Sequence, residues 1–132
     1  MKVLVDTCVW SLALRKRGPT DHPAVHQLSR LLETGEDVVL TGVILQEVLQ
    51  AFRADSTFRK MADYLTPFTL LPAGRDEHLA AARLHRRSAA AGFSASTMDC
   101  LIAATCIQHS ARLLPADHDF QRLAEFSKLR LL

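Results

Sequence analysis

The chain has 132 residues, 48% of them hydrophobic and 23% charged, which is the balance of one globular domain with a substantial core. A net charge of +2 tolerates a polyanionic partner, and 6% aromatic residues argue against a stacking platform for single-stranded nucleic acid. The three cysteines form no C-x-x-C pair, and no apolar run approaches the roughly 18 residues that span a membrane. We therefore expect a single domain over residues 1–132 in a reducing cytoplasm, without disulfides, structural zinc or a membrane segment.

Short apolar runs alternate with amphipathic segments along the whole chain. In order, the pattern predicts strand 2–5, helix 8–14, helix 22–34, strand 37–41, helix 43–52, helix 55–65, strand 68–71, helix 75–91, a helix that begins near Asp99 and ends near 109, strand 112–114, a short helix with Leu123 and Phe126, and an edge strand at 129–132. Continuous apolar strands are typical of sheets buried on both faces. We predict an α/β fold, with helices on both faces of a mainly parallel sheet.

Helix signals and helical spacing add detail. Pro23 suits a first turn, and Gly35 suits a C-terminal cap. The residues expected to face inward are Val9, Leu12 and Ala13 in the first helix, Leu28, Leu31 and Leu32 in the second, and Phe58, Met61 and Ala62 in the fourth.

Asp99 stands at the head of an almost wholly apolar helix. It shares a helical face with Ile102, Ala103 and Cys106, where an ionised carboxylate is costly unless something compensates it. Ser96, three residues earlier, is a candidate N-cap, so Asp99 also resembles the acidic member of a capping box. This helix alone leaves a capping role and a functional role open.

Other carboxylates are predicted at the same edge of the sheet. Asp6 follows the first strand, Asp117 and Asp119 follow the strand at 112–114, and Glu47 lies one helical turn after the second strand. The carboxyl ends of parallel strands form one edge, where such folds place their sites. Taken singly, each acid could cap a helix, serve a turn or face solvent. Their joint placement favours a shared site.

Carboxylates gathered in this way raise one another's pKa values unless a cation compensates them. Mg²⁺ or Mn²⁺ prefers oxygen ligands and can activate a water while stabilising charge on a transferring phosphoryl group. His22 and His26 are four residues apart but lie at an exposed helix start, so we expect no metal role for them.

The ordered motifs resemble a PIN-domain ribonuclease and, within that family, the VapC toxins. The resemblance rests on Asp6-Thr7-Cys8-Val9-Trp10, Glu47 in a helix, Asp99-Cys100-Leu101-Ile102-Ala103-Ala104, and Leu113-Leu114-Pro115-Ala116-Asp117-His118-Asp119-Phe120. It covers essentially the whole chain. It implies a three-layer α/β/α sandwich with a Mg²⁺- or Mn²⁺-dependent endoribonuclease site.

The resemblance also implies residue roles. Asp6, Glu47, Asp99 and Asp117 match the family's acidic quartet as catalytic residues and metal ligands, and Asp119 matches a further acidic position. Thr7 matches a hydroxyl residue beside the first Asp. Pro115 stands where the family usually has a polar residue, which leaves the choice between Asp117 and Asp119 open. Cys8 replaces a commoner Asn or Ser, and we expect little effect.

The resemblance further implies a homodimer and a VapB-like antitoxin that blocks the site, in a heterotetramer or larger assembly. The implied substrates are structured RNAs such as transfer RNA, whose cleavage inhibits translation. Arg15, Lys16 and Arg17 form a basic loop near the acidic edge and could contact phosphates. Arg83, Arg86 and Arg87 are better explained as a solvated helix face.

Three alternatives to a toxin nuclease stay open. The first is a PIN-fold RNA-processing nuclease outside a toxin pair. The second is a phosphoacceptor or phosphatase domain, although no second Asp lies two residues after Asp6 and no Lys follows Leu114. The third is a non-catalytic binding module, against which the intact set of acids argues.

Overall fold

The computed structural model describes residues 1–15 and 21–132, which form four strands and seven helices. Lys16 and Arg17 of the predicted basic loop lie outside the described residues. The strands are β1 (Lys2–Val5), β2 (Asp37–Thr41), β3 (Thr69–Leu71) and β4 (Arg112–Leu114). The helices are α1 (Thr7–Arg15), α2 (Pro23–Glu33), α3 (Gly42–Leu49), α4 (Asp55–Leu65), α5 (Arg75–Ala90), α6 (Thr97–Gln108) and α7 (Asp119–Glu125).

The four strands form one parallel sheet in the order β3-β2-β1-β4. The chain steps outward from β1 to β2 and β3, then returns past β1 to β4. Right-handed crossovers in opposite directions place their helices on opposite faces of a sheet. Accordingly α1 packs against α2 and α3, whereas α5 packs against α6 and α6 against α7. The predicted α/β/α sandwich with a parallel sheet is confirmed.

The central strand forms the middle of the core. Val3, Leu4 and Val5 of β1 are each 0% exposed, because β1 has neighbours on both sides and helices on both faces. This is the environment that a continuous apolar run predicts. The backbone of Asp6 extends the pairing by one residue, since its N–H donates to the carbonyl of Leu114 at 3.0 Å.

The predicted helix signals act as expected at α2. Pro23 is its first residue, and the Nδ1 atom of His22 accepts a hydrogen bond from the N–H of Ala24 at 3.1 Å. Gly35 follows the helix with φ +73°, a left-handed conformation that favours glycine. His22 therefore caps a helix.

Two residues predicted to face inward are exposed instead. Phe58 on α4 is 41% exposed and Leu32 on α2 is 37% exposed. In α4 the buried residue is Leu65 at its last position, and the helix packs against α3. Its first turn, which contains Phe58, remains at the surface. In α2 the buried stripe is formed by Ala24, Val25, Leu28 and Leu31, and Leu32 lies at its border.

Some predicted bounds are also wrong. The third helix ends at Leu49 rather than 52, because the chain turns there and the N–H of Phe52 donates to the carbonyl of Leu49. The edge strand at 129–132 is reduced to one parallel bridge between Leu131 and Leu113. It makes two hydrogen bonds, in which the N–H of Leu113 donates to Arg130 at 3.0 Å and the N–H of Leu132 donates to Leu113 at 2.8 Å.

Within the ranges 1–15 and 21–132, no helix is both long enough and apolar enough to cross a bilayer.

Candidate metal centre

Asp6 is the most deeply buried acid of the predicted site. It follows β1, and its carbonyl accepts hydrogen bonds from the N–H groups of Val9 and Trp10, so its backbone begins α1. Its Oδ1 atom accepts a hydrogen bond from the N–H of Thr7 at 2.8 Å. The Asp6 side chain thus satisfies an N–H at the start of α1, yet its residue exposure is only 4%, which that hydrogen bond alone does not require.

Thr7 links the first acid to the second. Its hydroxyl donates to the Oε1 atom of Glu47 at 3.0 Å and so joins α1 to α3. Glu47 is half-buried near the end of α3, a helix that starts with the Oγ1 atom of Thr41 accepting from the N–H of Ile44. The hydrogen bond from Thr7 limits the directions in which the Glu47 carboxylate can point.

Asp99 lies in the first turn of α6. The hydroxyl of Ser96 accepts a hydrogen bond from the backbone N–H of Asp99 at 3.0 Å, which confirms the predicted N-cap. Its helical-face neighbours Ile102, Ala103 and Cys106 are all buried. The cap uses the backbone N–H of Asp99, and the Ser96 side chain also acts on the Asp99 carboxylate.

Asp117 and Asp119 lie in the segment after β4. The Oδ1 atom of Asp117 accepts a hydrogen bond from the N–H of Asp119 at 3.0 Å, so Asp117 fixes the turn into α7. Phe120 and Leu123, both 0% exposed, anchor this turn to the core. Both acids are exposed.

The electrostatics indicate which acids lie together. Burial raises the pKa of Asp6 to about 7, the N–H of Thr7 opposes the rise, and the charges of Asp99, Asp117 and Glu47 add to it. Burial and then the charge of Asp117 raise the pKa of Asp99, with a hydrogen bond from Ser96 opposing and smaller contributions from Asp119 and Glu47. The charge of Asp119 raises the pKa of Asp99 but does not contribute to the raised pKa of Asp6. The chain therefore brings Asp6, Glu47, Asp99 and Asp117 into one cluster, with Asp119 at its border.

Cys8 belongs to the same cluster, although its residue type suggested little effect. Its Sγ atom, one carboxylate oxygen of Asp6 and one of Asp117 all lie within 4.8 Å of one another. Burial of the thiol, followed by the charges of Asp6 and Asp117, raises the pKa of Cys8 to about 11. The signal in the sequence was its position two residues after Asp6, on the first turn of α1.

The donor set fits a hard divalent cation. Among the described residues the ion pairs join the amino terminus to Glu36 and His109 to Glu77, and neither pair involves the cluster. The cluster thus offers several carboxylate oxygens, and no side-chain cation pairs with them in the described part of the chain. One of its members, Asp6, is buried deeply enough for its pKa to be raised. A divalent cation that takes oxygen ligands would supply the missing charge.

An open groove runs from the cluster along α1. Its volume is about 660 Å³, and its lining residues are Thr7, Cys8, Ser11, Leu12 and Arg15. Arg15 is exposed at the far end of the helix. The groove therefore extends from Thr7 and Cys8, which adjoin Asp6 in the chain, to the basic side chain of Arg15. The predicted helix cluster of Arg83, Arg86 and Arg87 is exposed on α5, as a solvated face would be.

Comparisons with known proteins agree on the fold. A family model described as PIN domain matches residues 3–126. VapC ribonuclease Mb1587 of Mycobacterium bovis and Ribonuclease VapC11 of Mycobacterium tuberculosis are each 28% identical over 130 residues, covering 97% of this chain and 96% of theirs.

Solved structures extend this agreement. FitAcB from Neisseria gonorrhoeae superposes with a TM-score of 0.76 at 21% identity, over 98% of this chain and 96% of that chain. VapBC2 from Rickettsia felis, bound to a promoter DNA fragment, superposes with a TM-score of 0.79 at 17% identity, over 100% of this chain and 98% of that chain. VapBC-5 from Mycobacterium tuberculosis superposes with a TM-score of 0.71 at 20% identity, over 99% of this chain and 97% of that chain.

Proposed function

Since this chain belongs to the PIN-domain family, we propose that it is a divalent-cation-dependent endoribonuclease and the toxin of a VapBC-type toxin–antitoxin pair. The observation that supports the nuclease best is the convergence of four carboxylates at the carboxyl edge of the sheet without a paired cation in the described part of the chain. The two relatives named VapC ribonuclease and Ribonuclease VapC11 support the same activity.

In this proposal Asp6, Asp99 and Asp117 hold Mg²⁺ or Mn²⁺, and Glu47 completes the set with its carboxylate oriented by Thr7. We assign the fourth ligand position to Asp117 rather than Asp119. The charge of Asp117 raises the pKa values of Asp6, Cys8 and Asp99, whereas the charge of Asp119 raises that of Asp99. When bound, such an ion supplies charge that polarises the scissile phosphate and promotes deprotonation of water.

The chain's own residues would then bind and orient the RNA. Arg15 lies at the far end of the α1 groove, where it can bind a phosphate of the strand whose scissile phosphate lies at the carboxylate cluster. Phosphate contacts of this kind orient a substrate without reading its sequence. We propose a structured RNA, such as a transfer RNA, as the substrate class.

The nuclease test is RNA cleavage by the purified chain with Mg²⁺ or Mn²⁺. EDTA should stop it, and Asp6→Ala should abolish it. Asp63→Asn, which alters an exposed carboxylate on α4, is the matched control and should leave cleavage unchanged. Cleavage that survives both EDTA and Asp6→Ala would exclude this site as its source.

The antitoxin partner is the second part of the proposal. This fold is shared by VapBC2 from Rickettsia felis and by VapBC-5 from Mycobacterium tuberculosis, the latter described as a toxin–antitoxin system. These likenesses support a VapB-like antitoxin as the partner of this chain. The assembly that we propose is a heterotetramer or larger, built on a homodimer. Expression of this chain alone should stop growth, and co-expression of a small neighbouring gene should restore it. Undisturbed growth with active enzyme would favour an RNA-processing nuclease outside a toxin pair.

A further inference from the structure

We propose that a basic cavity between α5, α6 and the segment after α7 binds a phosphate of the RNA backbone, away from the metal centre. Three cations, Arg83, Arg87 and Lys128, line this cavity. The inference rests on the proposed function in taking RNA as the ligand, whereas none of the three residues belongs to the carboxylate cluster. It adds a second point at which the chain holds its substrate.

The basic cavity gathers positive charge from two separate segments of the chain. Its volume is about 250 Å³. Arg83 and Arg87 are one helical turn apart on α5 and therefore share a face of that helix. Lys128 reaches the same cavity from the segment that follows α7. Among the described residues that line the cavity none is acidic, so its lining has no charge that compensates the three cations.

These cations have no acidic partner as far as the structure describes the chain, since neither of its ion pairs includes them. Arg87 donates one hydrogen bond, from Nη1 to the carbonyl of Phe126, which holds its guanidinium between α5 and the end of α7. Arg83 and Lys128 form no hydrogen bond to another described residue. Unpaired like charges that lie close together repel one another, and a bound anion removes that cost.

The donors and the walls of the cavity fit a phosphate group. Each guanidinium offers paired N–H donors that match two oxygens of one phosphate, and the ammonium of Lys128 adds a point charge. Donors that converge from two segments suit a tetrahedral anion better than a planar carboxylate. The wall between the cations includes the buried side chains of Leu84 and Ala104, and such an apolar wall strengthens the attraction by excluding water.

The basic cavity and the metal centre are connected by α6. Asp99 lies in the first turn of this helix, whereas Ala104 and Ile107 of the cavity wall lie one to two turns later. At 1.5 Å per residue the separation along the helix axis is about 8–12 Å. A structured RNA is longer than this, so one molecule can occupy both sites. A phosphate contact there would hold the RNA without reading its sequence.

The test measures binding of a fluorescently labelled RNA hairpin to the full chain in EDTA, where cleavage does not compete. Arg83→Ala and Lys128→Ala should each weaken binding on the order of 10-fold at low salt and reduce the salt dependence of log affinity by about one unit of slope. Arg86→Ala is the matched control. It removes the same charge from an exposed position on α5 that lines a different cavity, and it should leave both quantities unchanged.

The inference is overturned if Arg83→Ala and Lys128→Ala leave the RNA affinity and its salt dependence unchanged, or if Arg86→Ala reduces them equally. Poly-glutamate and inorganic phosphate, titrated separately into the same variants, identify the anion. If the variants lose binding of either one while RNA affinity is unchanged, the cavity belongs to an acidic protein or to free phosphate, and the RNA assignment is wrong. Circular dichroism confirms that each variant is folded.

Cleavage assays on the same preparations separate this inference from the proposed function. Arg83→Ala should raise KM for Mg²⁺-supported cleavage and leave kcat unchanged, because a contact far from the reacting atoms holds substrate and transition state equally. Cleavage in a chain whose variants bind RNA normally overturns the basic cavity and leaves the nuclease intact. RNA binding that depends on Arg83 and Lys128, in a chain that cleaves no RNA, overturns the nuclease and leaves the basic cavity intact.

Discussion

At Asp6, burial and charge oppose ionisation, and the backbone N–H of Thr7 compensates only in part. The pKa of about 7 means that the folded protein keeps a proton that the unfolded chain loses near pH 4. The stability contribution of that proton is therefore complete below about pH 4 and is lost as the pH rises towards 7. A residue that suits a metal ion is thus a source of instability when no ion is bound.

We expect the metal-free protein to lose up to about 4 kcal/mol of unfolding free energy between pH 4 and pH 7, since a shift of about three pKa units is worth that much. Asp6→Asn has no such proton to lose and should flatten this dependence. Denaturant unfolding at several pH values in EDTA measures it. A slope that is the same in both proteins would exclude Asp6 as its origin.

Asp99 distinguishes a structural from a functional acid. Asp99→Asn keeps the backbone N–H that Ser96 caps, so the fold and melting temperature should be preserved while cleavage falls on the order of 100-fold or more. Thermal melting and cleavage assays on one preparation measure both effects, with Asp63→Asn as the control. Loss of folding in Asp99→Asn would favour the structural interpretation.

Between elements, a hydrogen bond from the hydroxyl of Thr7 links α1 to α3 at the site. Thr7→Val keeps the shape of the side chain but removes the donor, so we expect cleavage to fall on the order of 10-fold while stability falls by only about 1 kcal/mol. Thr7→Ser restores a hydroxyl and should restore most of the activity. Equal losses in both variants would show that the hydroxyl does not position Glu47.

The elements also show what a sequence can predict. The runs at 2–5 and 37–41 are continuous and apolar, so burial on both faces decided their conformation, and Pro23 and Gly35 marked the ends of α2 through their own backbone preferences. Phe58 and Leu32 could not be placed, because which side of an amphipathic helix is covered depends on neighbours distant in sequence.

The same limit applies to the site. Four acids could be assigned to one edge because parallel strands end together, and the structure brings those four together. Cys8 could not be evaluated, since its importance depends on Asp117, a residue from the other end of the chain.

For the molecule as a whole, the sheet gathers side chains from four separate segments at one edge, and their mutual repulsion opposes folding. A cation that binds only the folded state should stabilise it by mass action, by about 2.7 kcal/mol at a concentration 100 times its Kd. Melting temperatures with increasing Mn²⁺ should therefore rise in the unsubstituted chain at pH 7 and remain constant in Asp6→Asn. A rise of equal size in Asp6→Asn would place the ion elsewhere.

The adjacency of β1 and β4 has a consequence for synthesis. Strand β1 is made first but reaches its second neighbour only when residues 112–114 have left the ribosome, and Asp117 follows them. A nascent chain therefore has Asp6 long before it has an assembled centre. Cleavage at such a centre therefore cannot begin before residues 112–117 have been synthesised and have left the ribosome.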